Sequence, residues 1–266
     1  MTVNYCVLSR DFDTGKSKTI LSFPESFRER LKVVATKDVL KKVAKVHPEV
    51  QLQECPSSID SAGKKRGWAF RNNVVEKGRT FLLNDDLTIR FVDPKTLRVH
   101  KAEDRPDLFK LHMRNMNKLA KEYDAVGARF RLFSNSLHQK GQWVVENVLP
   151  LEFFFSVDNL WLDSIDFELG GYYDLMAVNL QLRLQAARCV TYTGILCDNG
   201  LDIQKSFAKV DRSPERKIAS EKLLMKKFPG MVRYPRTKKE GAPLTPDLRK
   251  AYTRGLALKY KLIEED

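Results

Sequence analysis

Hydrophobic and polar residues alternate strictly at two places in the second half of the chain. Residues 178–184 read VNLQLRL, and residues 165–169 read IDFEL. A period of two is typical of a strand with one face in a hydrophobic core and the other in water. Both segments are therefore predicted to be strands, and further strands are predicted at 67–75, 87–92, 128–133, 143–148, 151–157 and 189–196.

Helices are predicted where hydrophobic positions recur at three and four residues. This pattern marks two insertions, at 36–46 and 106–123. The C-terminal end carries two helix start signals, Ser213-Pro214-Glu215 and Thr245-Pro246-Asp247. Each places a hydroxyl N-cap before a proline at the first helical position and an acid in the first turn.

These elements together predict the fold class. Six to eight strands interrupted by few helices favour an antiparallel core over an alternating βαβ sheet. We therefore expect an α+β, mainly β fold: an antiparallel jelly-roll-like or sandwich core with helical insertions and a basic helical C-terminal segment. The expected domains are a β-rich core with N-terminal and inserted helices at 1–204 and the basic helical segment at 205–266.

The charge of the chain is concentrated in that last segment. The 266 residues carry a formal net charge of +13, and 205–261 hold seventeen Lys and Arg against five acids. By contrast, 141–182 contain seven acids and neither Lys nor Arg. Such a basic segment attracts a polyanion because neutralised phosphates release counterions, although a merely solvated helix surface gives the same pattern. The predicted nucleic-acid contacts are Lys217, Lys222, Lys226, Lys227, Arg233, Arg236, Lys238 and Lys239.

Several functional classes are disfavoured by the sequence. The stretch 149–169 is the most apolar but contains five acids, so no conventional membrane-spanning helix is expected. The first eighteen residues lack the apolar core of a secretion signal, which favours an intracellular location. Four dispersed cysteines and four dispersed histidines form no zinc-binding spacing, so we expect reduced thiols, no metal site and no cofactor.

Three groups of residues were weighed as chemical sites. Gly15-Lys16-Ser17 has the end of a phosphate-binding loop, but the first glycine of that motif would fall on Arg10. Asp163, Asp166 and Glu168 are interpreted as the solvent side of a strand. Aromatic residues interleaved with arginines, such as Trp68 to Arg71, could stack on single-stranded nucleic acid, and core packing is the favoured interpretation.

Asp93 is assigned a structural role. It follows the strand predicted at 87–92 and precedes Pro94. Its carboxylate is expected to cap the next turn by accepting backbone N–H bonds.

A series of short matches resembles the 30-kDa superfamily of plant-virus movement proteins, the tobamovirus-like members in particular. The resemblance covers about residues 18–157, roughly half of the chain, and the apolar run ending at Val92-Asp93 resembles the family's hallmark hydrophobic strand closed by an aspartate. The other matching segments are Ile20-Leu21 through Phe27, Leu31-Lys32, Lys37-Asp38, Val46-His47, Gly67-Trp68, Val74-Val75 with Gly78, Trp143-Val144-Val145 and Leu149-Pro150-Leu151-Glu152-Phe153.

The resemblance implies a viral cell-to-cell movement protein and no enzyme. Such a protein binds single-stranded RNA or DNA without sequence readout and carries the viral genome through plasmodesmata. Its implied partners are host membrane and cell-wall pore proteins and further copies of itself. Its implied location is the host cell cytoplasm, the membrane periphery and plasmodesmata.

Two other functions remain open at this point. One is a viral capsid, nucleocapsid or matrix protein that packages RNA, because β cores with basic tails also package genomes. The other is a metal-dependent nucleic-acid-processing enzyme that uses the acids between Glu146 and Asp174.

Overall fold

The computed structural model describes residues 3–9, 17–75, 78–130, 142–146, 154–198, 213–234 and 244–261. In this part of the chain, ten strands form one mixed sheet and two short strands pair separately. The sheet strands are β1 (Val3–Leu8), β2 (Leu31–Ala35), β3 (Gln51–Glu54), β4 (Arg79–Asn84), β5 (Thr88–Val92), β6 (Val99–His100), β7 (Ala125–Phe130), β8 (Val144–Glu146), β9 (Phe154–Val157) and β10 (Cys189–Asp198). The separate pair is β11 (Val232–Arg233) and β12 (Thr245–Pro246).

Helices cover both faces of the sheet. They are α1 (Lys18–Leu21), α2 (Glu25–Arg28), α3 (Lys37–Val46), α4 (Ala62–Asn72), α5 (Pro106–Glu122), α6 (Asp174–Leu184), α7 (Pro214–Lys227) and α8 (Leu248–Lys259). The helices predicted at 36–46 and 106–123 are confirmed as α3 and α5. Five of the predicted strands correspond to β5, β7, β8, β9 and β10.

The strand order is β3-β2-β1-β4-β9-β7-β10-β5-β6, with β8 paired to β10. Strands β3, β2, β1 and β4 are all parallel, and α3 and α4 provide two of the crossovers between them. Strand β9 is antiparallel to both β4 and β7, and β7 is parallel to β10. The sheet is therefore a doubly wound parallel unit extended by a mixed unit.

The predicted fold class is wrong, because this α/β sheet is not an antiparallel jelly-roll or sandwich. Three of the four parallel strands, β1, β2 and β4, lie between helices, so their residues face a hydrophobic core on both sides. Tyr5 and Val7 pack on the face of α3 and α5, whereas Cys6 and Leu8 pack on the face of α4 and α6. Strands buried on both faces lack alternation, so the search for alternation missed these three, and it also missed the short, exposed edge strand β3.

Residues 178–184 form helix α6 and not the predicted strand. Val178 and Leu182, four residues apart, pack on the sheet, while Ala177 and Leu180 pack on the opposite side against α7 and α8. A helix buried on two sides carries two hydrophobic stripes, and their superposition imitates a period of two. The other alternating segment, 165–169, also forms no strand.

Residues 67–72, predicted to begin a strand, belong to helix α4. The helix carries Gly63 and Gly67 four residues apart, where the backbone and the ring of Phe167 pack closely. A Cβ at Gly63 would lie 2.3 Å from the carbonyl oxygen of Phe167. These glycines are required by helix packing, which a single sequence does not distinguish from strand punctuation.

The C-terminal helices form a third layer on the outer side of α6. Helix α7 begins as predicted: Ser213 is the N-cap, its hydroxyl accepts the N–H of Arg216, and Pro214 is the first helical residue. Helix α8 begins two residues later than expected, with Asp247 as N-cap, because Thr245-Pro246 pairs with β11. The layer is held by a hydrophobic cluster shared with α6, made of Ala177, Leu180, Leu224, Phe228, Met231, Val232, Leu244, Leu248 and Ala251.

Candidate functional site

The strand order reverses at β1, and the term crevice denotes here the sheet edge outside the carboxyl ends of β1 and β4. From β1 the chain runs outward to β2 and β3, then crosses back to place β4 on the other side of β1. Ligands of open α/β sheets bind at such a switch point, outside the carboxyl ends of the two strands. Here those ends are Ser9, which follows β1, and Asn84-Asp85-Asp86, which ends and follows β4.

Asp85 is the centre of a hydrogen-bond network at this switch point. The hydroxyl of Ser9 donates to Oδ2 of Asp85 over 2.6 Å. The hydroxyl of Ser17 donates to the backbone carbonyl of Asp85 over 2.9 Å. Ser9 and Ser17 stand on either side of 10–16, so both flanks of that segment are joined to the end of β4.

The turn that carries Asp85 and Asp86 is held by a buried threonine. Thr19 Oγ1 donates to the carbonyl oxygen of Asn84 over 2.6 Å and accepts the N–H of Leu87 over 2.8 Å. Both ends of the turn are therefore fixed by one side chain. The two adjacent carboxylates are held at the sheet edge by α1.

Two lysines neighbour the carboxylate pair. Lys65 in α4 is only 8% exposed, and its ammonium donates to the carbonyl oxygen of Ser9 over 2.8 Å. Its charge also lies close enough to Asp85 to favour the ionised carboxylate. Lys18 is exposed and acts in the same way on Asp86. The crevice thus combines two acids with two cations.

Burial raises the pKa of both carboxyl groups despite these lysines. Asp85 is raised to about 6, mainly by desolvation, and the neighbouring charge of Asp86 adds to the effect. Desolvation likewise raises the pKa of Asp86. Two adjacent half-buried carboxylates carry an energetic cost when both are ionised, and a bound cation would offset that cost.

His47 anchors the second flank of the crevice. Its ring is 2% exposed, and Nε2 accepts the backbone N–H of Ser17 over 3.1 Å. Since a backbone N–H can only donate, Nε2 is the unprotonated nitrogen. Nδ1 then carries the proton and donates to Oε1 of Glu49 over 3.2 Å. His47 therefore positions Ser17 through the neutral tautomer.

The carboxylate pair suits a cation that is shared with a ligand. Within the described ranges, no group of three or more His, Cys, Asp or Glu side chains could enclose a metal ion. Two carboxylates alone match the way proteins hold Mg²⁺ or Mn²⁺, which take their remaining ligands from water and substrate phosphates. Asp85 and Asp86 therefore have the chemistry to contribute ligands to a divalent cation that also binds a phosphorylated ligand.

The residues predicted as a site from charge lie elsewhere. Lys217, Lys222, Lys226 and Lys227 are on α7, and Arg233 is on β11, while Arg236, Lys238 and Lys239 lie outside the described residues. Among the five described ones, none takes part in the hydrogen bonds around Asp85. Asp93 directly follows β5, where its carboxylate accepts the backbone N–H of Lys95 over 2.8 Å and pairs with Arg105 over 3.1 Å.

The functional residues at the switch point were missed by sequence reasoning. Ser17 was considered only in a phosphate-loop motif that fails at Arg10, and the structure shows that it caps α1. The available signal was the apolar run of 80–83 followed directly by Asn84-Asp85-Asp86. A buried strand that ends in adjacent acids indicates a ligand edge once the sheet is known to be parallel.

Replacing Asp85 with Asn should stabilise the protein near neutral pH. The pKa of Asp85 is about 6 in the folded protein, above its ordinary value of 3.8. The protonated carboxyl group therefore favours the folded state, and this contribution to stability is lost as pH rises through about 6. We expect the free energy of unfolding of Asp85→Asn to exceed that of the wild type by up to about 3 kcal/mol at pH 7. Measured by urea unfolding, this difference in stability should grow as pH rises from about 4 to 6 and should be absent below about pH 4. An equal difference at pH 3.5 and pH 7 would contradict this origin.

Comparison with known proteins finds only low similarity. No family model and no curated protein matches the chain. Two solved structures of TarS from S. aureus align with it, at 17% and 16% identity and a TM-score of 0.43 each. The alignments cover 73% and 74% of this chain but 60% and 36% of the TarS chains. The chain thus spans less than two thirds of either relative.

The fold corrects the movement-protein interpretation. That interpretation assumed a jelly-roll-like β core, and the sheet is doubly wound α/β. The capsid, nucleocapsid or matrix alternative depended on the same β core and is wrong with it. Among the described helices, none has the length and hydrophobicity needed to cross a bilayer.

The third interpretation, a nucleic-acid-processing enzyme that uses the acids between Glu146 and Asp174, also lacks its site. Asp166 is used locally, since its Oδ1 accepts the N–H groups of Glu168 and Leu169. Asp174 pairs with Arg66. In the part of the chain that the structure describes, these acids do not gather into a metal-binding group.

Proposed function

We propose that the protein is an enzyme that binds a nucleoside diphosphate-sugar in the crevice between β1 and β4 and transfers the sugar to an acceptor. This replaces the expectation of a non-enzymatic protein. The observation that carries the proposal is the pair Asp85 and Asp86, adjacent and half-buried at the carboxyl end of β4, beside the end of β1.

The position of the pair favours a nucleotide. In doubly wound sheets the crevice at the switch point is where nucleotides bind. Ser17 is bonded to the end of β4 and to His47, which fixes the start of α1 at this edge of the sheet. A base and ribose can lie beside Ser17 with the phosphates directed towards the carboxylates.

The electrostatics favour a diphosphate bound with a divalent cation. Two carboxylates without a third protein ligand leave coordination positions for phosphate oxygens. Lys18 and Lys65 add positive charge at the same edge. A bound Mg²⁺ or Mn²⁺ would stabilise the negative charge of a departing diphosphate.

The motifs of other nucleotide enzymes are absent from the sequence. The thirteen glycines include no G-x-G pair, so neither the dinucleotide fingerprint nor the glycine-rich loop of protein kinases is present. The phosphate loop of NTPases fails at Arg10. The proposal therefore takes a nucleoside diphosphate as the leaving group, and activated sugars have this leaving group.

The reaction then exchanges one bond at the anomeric carbon. The bond between that carbon and the diphosphate oxygen breaks, the acceptor oxygen bonds to the same carbon, and the acceptor hydroxyl loses its proton. Asp85, oriented by Ser9, and Asp86 would hold the divalent cation, which would supply positive charge to the departing diphosphate. Lys65 keeps the end of β1 in place by its bond to the Ser9 carbonyl.

Calorimetry with nucleoside diphosphates tests the proposal. Uridine, guanosine, adenosine and cytidine diphosphates would each be titrated into the protein with Mn²⁺ and again with EDTA. We expect binding of at least one diphosphate with Mn²⁺ and its loss with EDTA. The matching nucleotide-sugar should be hydrolysed slowly to the diphosphate and free sugar, because water can replace the acceptor.

Two results would overturn the proposal. One is that none of the four diphosphates binds with Mn²⁺ or Mg²⁺ at millimolar concentration. The other is that the protein releases inorganic phosphate from nucleoside triphosphates and leaves nucleotide-sugars intact, which would identify a phosphohydrolase.

A further inference from the structure

We infer that a basic face formed by α7 and the turn after it binds nucleic acid, and that nucleic acid is the acceptor of the transfer. The second part rests on the proposed function and the first does not. The basic face is defined as Lys222, Lys226, Lys227, Arg233 and Lys250, all of which are exposed.

The described C-terminal layer is strongly cationic. Residues 213–234 and 244–261 contain eleven Lys and Arg and three acids, which leaves a charge of +8. Lys222, Lys226 and Lys227 have no ion-pair partner among the residues that the structure describes, whereas Lys217 on the same helix is paired with Glu221 over 3.8 Å. Their charges therefore face solvent.

Two of the three acids of this layer are used inside the structure. Glu221 is buried and accepts hydrogen bonds from the hydroxyls of Tyr173 and Tyr234, each over 2.9 Å. Asp247 caps α8 by accepting the N–H of Lys250 over 2.9 Å. Because these carboxylates are engaged elsewhere, they leave the lysines of the basic face unneutralised.

The cations are arranged along one edge. Lys222 and Lys226 are four residues apart and so lie on one side of α7, and Lys227 follows at its end. The chain turns at Gly230, with φ +67°, and the ammonium of Lys250 in α8 lies directly against that residue. A helix of the length of α7 extends about 20 Å, which spans about twelve phosphate charges of a duplex.

The basic face is connected to the crevice through packed elements. Ser220 of α7 accepts the N–H of Tyr172 over 3.0 Å, and Asp174, two residues on, pairs with Arg66 beside Lys65. Arg216 at the start of α7 contributes, after Lys64, to the lowered pKa of Asp60 in the loop before α4. Helix α7 therefore lies next to the loop between β3 and α4, which opens at the carboxyl edge.

An anionic membrane fits this face less well than nucleic acid. A helix that binds a bilayer surface inserts its apolar side. Part of the apolar side of α7 is already packed in the protein, since Leu224 and the following Phe228 are buried against α6. Ile218 and Leu223 are exposed, but two apolar side chains offer a bilayer little area for insertion. A solvated polyphosphate needs only the exposed cations, and release of its counterions supplies the free energy of binding.

Fluorescence anisotropy with labelled 20-base-pair DNA and RNA duplexes tests the binding. The test variant is Lys222→Ala, Lys226→Ala, Lys227→Ala, and the matched control is Lys37→Ala, Lys42→Ala, Lys45→Ala, which removes three exposed lysines from α3 on the other side of the sheet. We expect the test variant to lower the slope of log affinity against log salt by about 3 and to bind about a hundred-fold or more weakly at 0.1 M salt. The control should match the wild type.

The acceptor role is tested separately by transfer of label from a nucleotide-sugar to the same duplexes, in which the 2′-hydroxyls of RNA and the terminal hydroxyls of both kinds of strand are the available acceptors. The test variant should need a higher duplex concentration for half-maximal transfer, with unchanged binding of the diphosphate and Mn²⁺. If the diphosphate binds and the sugar is hydrolysed but no label reaches either duplex, the acceptor role is wrong and the proposed function stands. If no diphosphate binds, the proposed function fails independently of duplex binding.

Three outcomes would overturn the basic face itself. The first is absence of duplex binding at 20 mM salt. The second is an equal loss of affinity in the test and control variants, which would attribute binding to net charge. The third is binding to vesicles with anionic lipid at concentrations where neither duplex binds.

Discussion

Asp86→Asn should abolish cation-dependent binding of the nucleoside diphosphate. The substitution keeps the size of the side chain but removes one of the two carboxylates at the end of β4. Mutation of a residue that only orients a metal ligand typically lowers metal affinity by about 10- to 100-fold. Loss of a direct ligand should therefore lower it by about 100-fold or more. Calorimetry with Mn²⁺ and the best diphosphate measures the effect.

The matched control for Asp86→Asn is Asp163→Asn. Asp163 is exposed, lies away from β4 in the 3-10 helix of Asn159–Ser164, and was one of the acids considered from sequence. It should bind the diphosphate as the wild type does. Wild-type affinity in Asp86→Asn, with the control also unchanged, would refute the assignment of the pair.

Gly255→Ala should destabilise the protein, although the same change in an exposed helix stabilises it. A Cβ at Gly255 would lie 2.4 Å from the carbonyl oxygen of Leu184 and 2.5 Å from that of Arg183. Both are backbone atoms at the end of α6 and cannot move aside as a side chain can. Forcing a methyl group into a packed contact typically costs about 1–3 kcal/mol, and we expect at least about 2 kcal/mol in urea unfolding.

The sign of this effect is diagnostic. Glycine in a helix interior is about 0.5–1 kcal/mol worse than alanine, so a loosely packed α8 would gain stability from Gly255→Ala. Thr253→Ala on the exposed side of the same helix is the control and should be nearly neutral. A stabilised Gly255→Ala variant would show that α8 does not pack on α6 in solution.

Some elements of the fold were predictable because their signals are local. The Ser213-Pro214 cap acts within one helical turn, and α3 and α5 each bury a single stripe. Helix α6 was not predictable in this way. One of its two hydrophobic stripes packs on the sheet and the other on α7 and α8, and these two neighbours are far apart in the chain. Hydrophobic periodicity identifies a helix reliably only when the helix buries a single side.

The candidate site was unpredictable for a related reason. Ser9, Ser17, His47, Lys65 and Asp85 are spread over 77 residues and meet only because β1 and β4 are neighbours in the sheet. Acids and lysines of these types are common on any surface. Whether such residues form a site depends on which strand ends the fold places side by side.

The sequence by itself determined the net charge of +13, its concentration towards the C-terminal end and the start of helix α7, since these depend on composition or on contacts within one turn. The tertiary structure alone decided that the core is a doubly wound sheet, that 178–184 is helical and that Asp85 and Asp86 face a crevice. Strand pairing joins residues that are far apart in the sequence. It is stabilised by apolar surface that is buried only when these distant segments meet, so a short window of sequence carries no sign of it.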